Sequence, residues 1–319
     1  MKAQFKSRLN LDNRVRLETV LPLRTPYLVY LDPSDLCNFK CSYCPTGNRE
    51  LVDKYRKSQL MDYDLYRKII DDLCTMPDPI RTLRLYKNGE PLMNPRFANM
   101  VEYAKNSGRF LKVDTTTNGS LLWPSQNVKL IEAGLDAIFI SVPGDYGTKY
   151  VENVRNLYEM GRGLCQINVK IISTKDTTED VKQKFLDDFG NISDQIFIEN
   201  LAECWPEYEI LEVNKTVGLF GQELKDIKVC SYIFYSLVIN SNGTVSLCCQ
   251  DWKHKLIIGD LKTEKFKDIW NGRKLKDYQM SHLEGLRWLI PVCGDCGQLL
   301  YGEPDNIDEF RKEILRRIQ

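Results

Sequence analysis

Between residues 27 and 200, β-like runs alternate with amphipathic helical segments, and few folds accommodate that rhythm. The strand candidates are YLVYLD (27–32), TLRLYK (82–87), FLKVDTT (110–116), DAIFISV (136–142), CQINVKII (165–172) and DQIFIEN (194–200). Among the segments between them, 63–74, 97–108, 127–134 and 151–161 carry apolar residues at three-to-four spacing. Repeated βα units of this kind build a parallel sheet. Six units are too few to close an eight-fold barrel, so the expectation is an α/β fold with an open, partial (β/α)6 TIM-like barrel. Chemistry in such folds collects at the C-terminal strand ends. CNFKCSYC follows the first strand, NGEP the second, TNGS the third, and SVPG closes the fourth.

After about residue 225 the pattern changes. YSLVINSNGTVSLCCQD (235–251) predicts a β-hairpin turning at Asn242-Gly243, with Cys248 ending its second strand. Residues 264–283 read as mostly helical, a CGDC loop follows at 293–296, and NIDEFRKEILRRIQ predicts a packing helix. The expected units are an N-terminal extension (1–24), a core (25–225), a small hairpin-plus-helix domain (226–305) and a C-terminal helix (306–319).

Charge excludes some functions. The 319 residues carry 44 basic and 44 acidic side chains, so no net field draws the chain to nucleic acid or anionic lipid. There is no signal peptide and no apolar run long enough to cross a membrane, so the expected location is the cytoplasm. Eleven cysteines in such a chain point to ligand or catalytic thiols rather than disulfides.

Cys37, Cys41 and Cys44 form a CxxxCxxC loop. Structural zinc wants four ligands, and His254 and His282, the only histidines, are distant in sequence. A redox CxxC pair leaves Cys37 idle. A [4Fe–4S] cluster on three thiolates uses all three and leaves one iron open, as a catalytic site requires.

With an aromatic, Tyr43, just before the third cysteine, the loop resembles the motif of the radical S-adenosylmethionine (SAM) superfamily. The resemblance covers roughly residues 25–200. It implies that SAM chelates the open iron and is split reductively to a 5′-deoxyadenosyl radical, with a flavodoxin- or ferredoxin-type protein supplying the electron. Asn88-Gly89-Glu90-Pro91 resembles the motif that receives the SAM amino group. Thr117, Asn118 and Ser141 resemble the ribose- and carboxylate-contacting positions, and Tyr43 the aromatic near adenine.

Cys230, Cys248, Cys293 and Cys296 form a second constellation, with Cys249 as an alternative to Cys248. Alternation along a strand permits only one of the neighbouring pair to ligate. With GTVSLCCQD, GDL and FKDIWNGRKL around them, they resemble the SPASM and twitch extensions of the superfamily. Too few cysteines remain for two auxiliary clusters, so one auxiliary [4Fe–4S] cluster of the twitch type is expected; a four-cysteine zinc site is the bland alternative. Seventeen residues separate the first two ligands and forty-four the next two. That spacing is similar to that of the 2-deoxy-scyllo-inosamine dehydrogenase type, twitch enzymes that oxidise a secondary alcohol of an aminocyclitol.

The implied reaction is hydrogen abstraction from a small polar molecule, a sugar or aminocyclitol, followed by oxidation with the auxiliary cluster as electron acceptor. Epimerisation would need a thiol donor, for which Cys204 and Cys249 are the candidates; Cys74 and Cys165 read as core. A peptide maturase would carry a leader-binding domain, against which the short segment before the first strand counts; a non-enzymatic electron carrier would not need the SAM-contacting positions. Asp145, Tyr146, Glu203, Trp205, Asp251 and Trp252 are expected near the mouth.

Overall fold

A computed structural model describes residues 1–8, 14–210, 213, 215–302 and 304–319. Its strands are β1 (Gln4–Phe5), β2 (Leu28–Leu31), β3 (Ile80–Arg84), β4 (Phe110–Thr117), β5 (Ala137–Val142), β6 (Gln166–Ser173), β7 (Gln195–Asn200), β8 (Ser236–Ile239), β9 (Thr244–Ser246) and β10 (Ile257–Asp260). They form one sheet in the order β1-β7-β6-β5-β4-β3-β2-β8-β9-β10. From β2 to β7 all neighbours are parallel and consecutive, the partial barrel the βα rhythm predicts. The order never returns on itself, so the barrel is open.

All four residues of β2, LVYL, are buried, because a parallel strand is covered on both faces. The outward face of the sheet (Val29, Leu31, Leu83, Val113, Ile138, Ile140, Val169, Ile196) packs under α1 (Tyr63–Leu73), α2 (Phe97–Asn106), α3 (Pro124–Glu132), α4 (Thr148–Gly161) and α5 (Glu179–Phe189). α1 starts where the Asp62 carboxylate accepts from the amides of Asp64 and Leu65, and buries Tyr66, Ile69, Ile70 and Leu73 at helical spacing. β3 lies two to three residues earlier than expected, since Leu85–Lys87 leave the ladder to enter the NGEP loop.

The hairpin turns at Asn242-Gly243, where Gly243 takes a φ of +86° and the Asn242 side chain accepts from the Thr244 amide. β8 pairs with β2 in parallel over four residues, so the hairpin expected to open a separate unit extends the sheet of the core. The N-terminal extension supplies β1 to the opposite edge. The predicted helix at 264–283 is two, α6 (Phe266–Trp270) and α7 (Arg273–Leu283), separated at Gly272. A Cβ on Gly272 would lie 2.8 Å from the Asp268 carbonyl. α8 (Arg311–Ile318) packs its buried Ile314 and Ile318 beside α7, as the closing amphipathic segment predicts.

Candidate functional site

The three clustered cysteines lie in the loop leaving β2, and all are half-buried with free thiols. The loop is held from several sides. The Cys44 amide donates to the Cys41 carbonyl (3.2 Å) and the Gly47 amide to the Cys44 carbonyl (2.9 Å). A Cβ on Gly47 would lie 2.3 Å from the Cys41 oxygen, so only glycine permits this approach. From the segment after β7, the Tyr208 hydroxyl donates to the Ser42 carbonyl (2.9 Å). The Phe39 amide points at Cys37 Sγ (3.4 Å), the kind of donor that suits a thiolate ligand. Burial pushes the Cys37 thiol up and Cys44 up to about 11, a cost that metal ligation offsets by taking the thiolate.

The second and third strand ends close on this loop. Glu90 is 2 % exposed; its Oε1 accepts from Thr117 Oγ1 (2.6 Å) and the Leu92 amide (3.1 Å), its Oε2 from the Asn118 amide (2.7 Å). The Glu90 amide donates to the Leu36 carbonyl (2.8 Å), and a Cβ on Gly89 would lie 2.2 Å from the Ser34 carbonyl oxygen. Asn118 Nδ2 donates to Asn38 Oδ1 (2.9 Å) and lies 4.0 Å from Cys37 Sγ, while its Oδ1 accepts from Ser120. Pro91 opens a single 3-10 turn, and Asn88 Nδ2 lies 3.4 Å from His254 Nε2. Glu90 thus fastens two strand ends together; one lone pair on Oε2 has no partner among the described residues. A cavity of about 600 Å³ opens beside the loop, lined by Cys41, Tyr43, Val142, Thr174 and Ile210 among others. Ser141 lies on β5 one residue before Val142 and is half-buried. Burial and the neighbouring Cys41 raise the Tyr43 hydroxyl well above its ordinary value.

Cys230, Cys248, Cys293 and Cys296 come together beside the hairpin; burial and neighbouring cysteines of the group raise Cys230 and Cys293, the hydrogen bond with Cys249 and then burial raise Cys248, and burial with the nearby Cys249 raises Cys296. Burial sets Cys293 at about 12 and Cys296 at about 11. β9 ends at Ser246, so Cys248 and Cys249 sit on a turn beyond it rather than on the strand. The Asp251 amide closes that turn on the Cys248 carbonyl (3.2 Å), and its carboxylate holds the loop beyond, accepting from the amides of Lys255 (2.8 Å) and Leu256 (2.9 Å). Cys204 lies under this group, its carbonyl 3.8 Å from Cys296 Sγ, packed with Ala202 and Tyr301. Cys249 instead packs against Tyr30 and Tyr86.

Among the described residues no three His, Cys, Asp or Glu side chains converge closely enough to hold one metal ion. A single zinc, about 2.3 Å from every sulfur, needs such convergence. A cubane distributes its thiolates over separate irons, and three or four thiols are the donor set such a cluster takes.

Several residues were not singled out by the sequence. Side chains of opposite parity to the helix-covered face line the barrel lumen: Tyr30, Arg84, Asp114, Lys170, Phe197 and Glu199. Charged residues inside otherwise apolar strand runs (Arg84 in TLRLYK, Asp114 in FLKVDTT, Lys170 in CQINVKII, Glu199 in DQIFIEN) were the available signal. Conversely, Asp251 and Trp252 are fully buried and structural, and the Tyr146 hydroxyl donates to Asp188 on α5. Arg56 ion-pairs with Asp35 below the cysteine loop and donates through Nε to the Trp252 carbonyl. Lys87 Nζ donates to Asn240 Oδ1 (2.6 Å) and the Asp251 carbonyl (3.2 Å).

The family model of the radical SAM superfamily matches residues 31–182, and that of the SPASM iron–sulfur cluster-binding domain matches residues 230–297. The chain carries a radical SAM domain followed by a SPASM domain. These domains bind SAM with a [4Fe–4S] cluster and auxiliary iron–sulfur clusters respectively. The radical SAM chain is 24 % identical over 320 residues to a tungsten-containing aldehyde ferredoxin oxidoreductase cofactor-modifying protein of Pyrococcus furiosus, covering 84 % of this chain and 86 % of that one. It is 21 % identical to the SAM-dependent 2-deoxy-scyllo-inosamine dehydrogenase of Niallia circulans, covering 85 % and 93 %. Among solved structures, BtrN in complex with AdoMet and 2-DOIA superposes with a TM-score of 0.57 at 18 % identity, covering 85 % of this chain and 92 % of that one. SuiB of Streptococcus suis bound to S-adenosylmethionine gives 0.63 at 15 %, covering 89 % and 73 %. Both share the partial-barrel fold. Among the described residues no helix is long and apolar enough to cross a membrane.

Proposed function

We propose that this radical SAM enzyme dehydrogenates a secondary alcohol of a small polyhydroxylated molecule, a sugar or aminocyclitol. The observation that carries this reading is that Cys249, the sequence neighbour of Cys248 in the second cysteine group, packs on the lumen residues Tyr30 and Tyr86. An electron acceptor there adjoins the chamber in which substrate would lie. Cys37, Cys41 and Cys44 would hold the SAM-binding cluster, and Cys230, Cys248, Cys293 and Cys296 the single auxiliary one. When bound, SAM and its cluster would supply the radical that removes one hydrogen atom from the carbinol carbon, and the auxiliary cluster would accept the electron released with the hydroxyl proton.

The chain's own residues bind and orient. Glu90 fixes the strand end on which Thr117 and Asn118 would face SAM, with Ser141 at the end of β5 beside it, and its remaining lone pair suits the ammonium. Tyr43 would border the adenine in the cavity beside Cys41. A flavodoxin- or ferredoxin-type donor in the cytoplasm would supply the first electron. With substrate carrying deuterium at the carbinol carbon, the reading requires deuterium in 5′-deoxyadenosine, one SAM consumed per ketone and no solvent deuterium in the product. Failure to release 5′-deoxyadenosine under reducing, anaerobic conditions refutes it. Epimerisation is the second reading, favoured by Cys249 facing the lumen: solvent deuterium at an inverted centre, abolished in Cys249→Ala but not in the more deeply packed Cys204→Ala, would establish it.

A further inference from the structure

The floor of the lumen holds two guanidiniums and one carboxylate. Arg84 reaches Asp114 (3.4 Å) and donates to the Tyr30 hydroxyl (3.1 Å). Arg8, from the segment after β1, enters the lumen to Asp114 (3.5 Å) and Thr116 Oγ1 (2.9 Å), with its guanidinium between the rings of Phe139 (4.3 Å) and Tyr86 (4.8 Å). Asp114 is 2 % exposed. Both ion pairs are long, and Arg8 Nε and Nη2 are buried with no hydrogen-bond partner. The neighbouring Lys170–Glu199 pair (2.7 Å) is balanced, so the Arg8–Arg84–Asp114 group leaves one uncompensated positive charge and several unused donors. A half-buried cation with buried unpaired donors is costly unless an anion completes it, and guanidinium forks match oxyanions bidentately. By strand rise, Arg84 and Asp114 lie about 7–10 Å below the loops that carry the radical chemistry, the reach of a six-membered ring.

We propose that Arg8 and Arg84 bind an oxyanion of the substrate, a phosphate or carboxylate, at the floor of the lumen. The substrate is then an acidic or phosphorylated polyol rather than a free aminocyclitol, whose ammonium would meet like charge. This rests on reading the lumen as the substrate chamber, but its test needs no turnover, so the two can fail separately.

The test is calorimetric titration of the reconstituted holoenzyme with inorganic phosphate against chloride at equal ionic strength. Glucose 6-phosphate, glucuronate, glucose and glucosamine follow, the first two separating phosphate from carboxylate. Phosphate should bind where chloride does not, either anionic sugar should bind better than glucose, and glucosamine worst. Arg84→Gln and Arg8→Gln should each weaken phosphate binding about 10- to 100-fold, the effect of one charged hydrogen bond. Should Arg84→Gln fail to fold, Arg84→Lys retains the charge without the fork and must fall between wild type and Arg8→Gln. Phosphate binding no better than chloride, wild-type affinity in the Gln variants, or a preference for glucosamine would each overturn the assignment.

Discussion

Gly89→Ala tests whether the cysteine loop is positioned by the loop after β3. The added methyl would lie 2.2 Å from the Ser34 carbonyl oxygen and 2.3 Å from that of Leu36, whereas real Cβ contacts essentially never fall below 3.0 Å. Both obstacles are backbone, so no side-chain rotation relieves them, and a shift of at least about 0.8 Å must pass into residues 34–36. Leu36 precedes Cys37 and accepts the Glu90 amide, so that shift moves the first thiol and strains the bond joining it to Glu90. Overpacking of this kind costs roughly 1–3 kcal/mol, which the large core elsewhere tolerates. A displacement near 1 Å at a reacting centre costs on the order of 100-fold in rate. After anaerobic reconstitution, Gly89→Ala should therefore remain folded, retain iron at the auxiliary site, and lose most 5′-deoxyadenosine formation. Gly147→Ala is the control, since its Cβ would meet nothing within 4 Å. Wild-type iron content and cleavage in Gly89→Ala would show that the two loops are not rigidly coupled and refute the reasoning.

Arg56→Met should destabilise the fold by about 3–5 kcal/mol in urea melts, because it strands Asp35 at 1 % exposure, and the double variant with Asp35→Leu should recover most of the loss. Asp251→Ala frees the amides of Lys255 and Leu256; it should lower the iron retained at the auxiliary site, read by iron analysis and electron paramagnetic resonance, while SAM cleavage persists. His282 is fully buried with no partner on either ring nitrogen, and burial pulls it from 6.5 down to about 3. Its folded pKa lies below the unfolded one, so its contribution is present above pH 6.5 and lost as the pH falls. Thermal melts should show about 2 kcal/mol less stability at pH 5 than at pH 6.5 from this group, and His282→Leu should abolish that part of the slope.

What the sequence revealed of this site was what is local in the chain. Cys37, Cys41 and Cys44 sit within eight residues, and the NGEP and TNGS loops each follow one strand, so their meeting at one sheet edge follows from the parallel βα rule alone. The turn at Asn242-Gly243 was legible because two residues specify it. Pairing of β8 with β2 was not, since partners more than 200 residues apart carry no mark of each other. Asp251 and Trp252 looked like mouth residues because an acidic–aromatic pair in a polar loop normally faces water; here one satisfies buried amides and the other fills the core. Arg8 left no trace at all: a lone arginine near the N-terminus reaches the lumen only because β1 pairs with β7 and aims the chain inward.

The same non-local contacts bear on electron transfer. The connection from 201 to 229 contains no strand and no helix among its described residues, yet it ties both cysteine regions together: Tyr208 donates to the Ser42 carbonyl, and the Glu207 amide donates to Asp295 between Cys293 and Cys296. Three polar joints add to that hold: Arg56 between Asp35 and the Trp252 carbonyl, Lys87 between Asn240 and the Asp251 carbonyl, and Asn88 beside His254. Each takes one partner from a loop at the SAM-binding end and one from the hairpin or the turn after it. Burial pulls Lys87 below its ordinary value, which shows how dry this seam is. Buried polar joints add little net stability but tolerate only one geometry, because a slip leaves their groups unpaired. The seam therefore sets the separation between the two cysteine groups, and variants within it should disturb the transfer of the second electron before they disturb SAM cleavage.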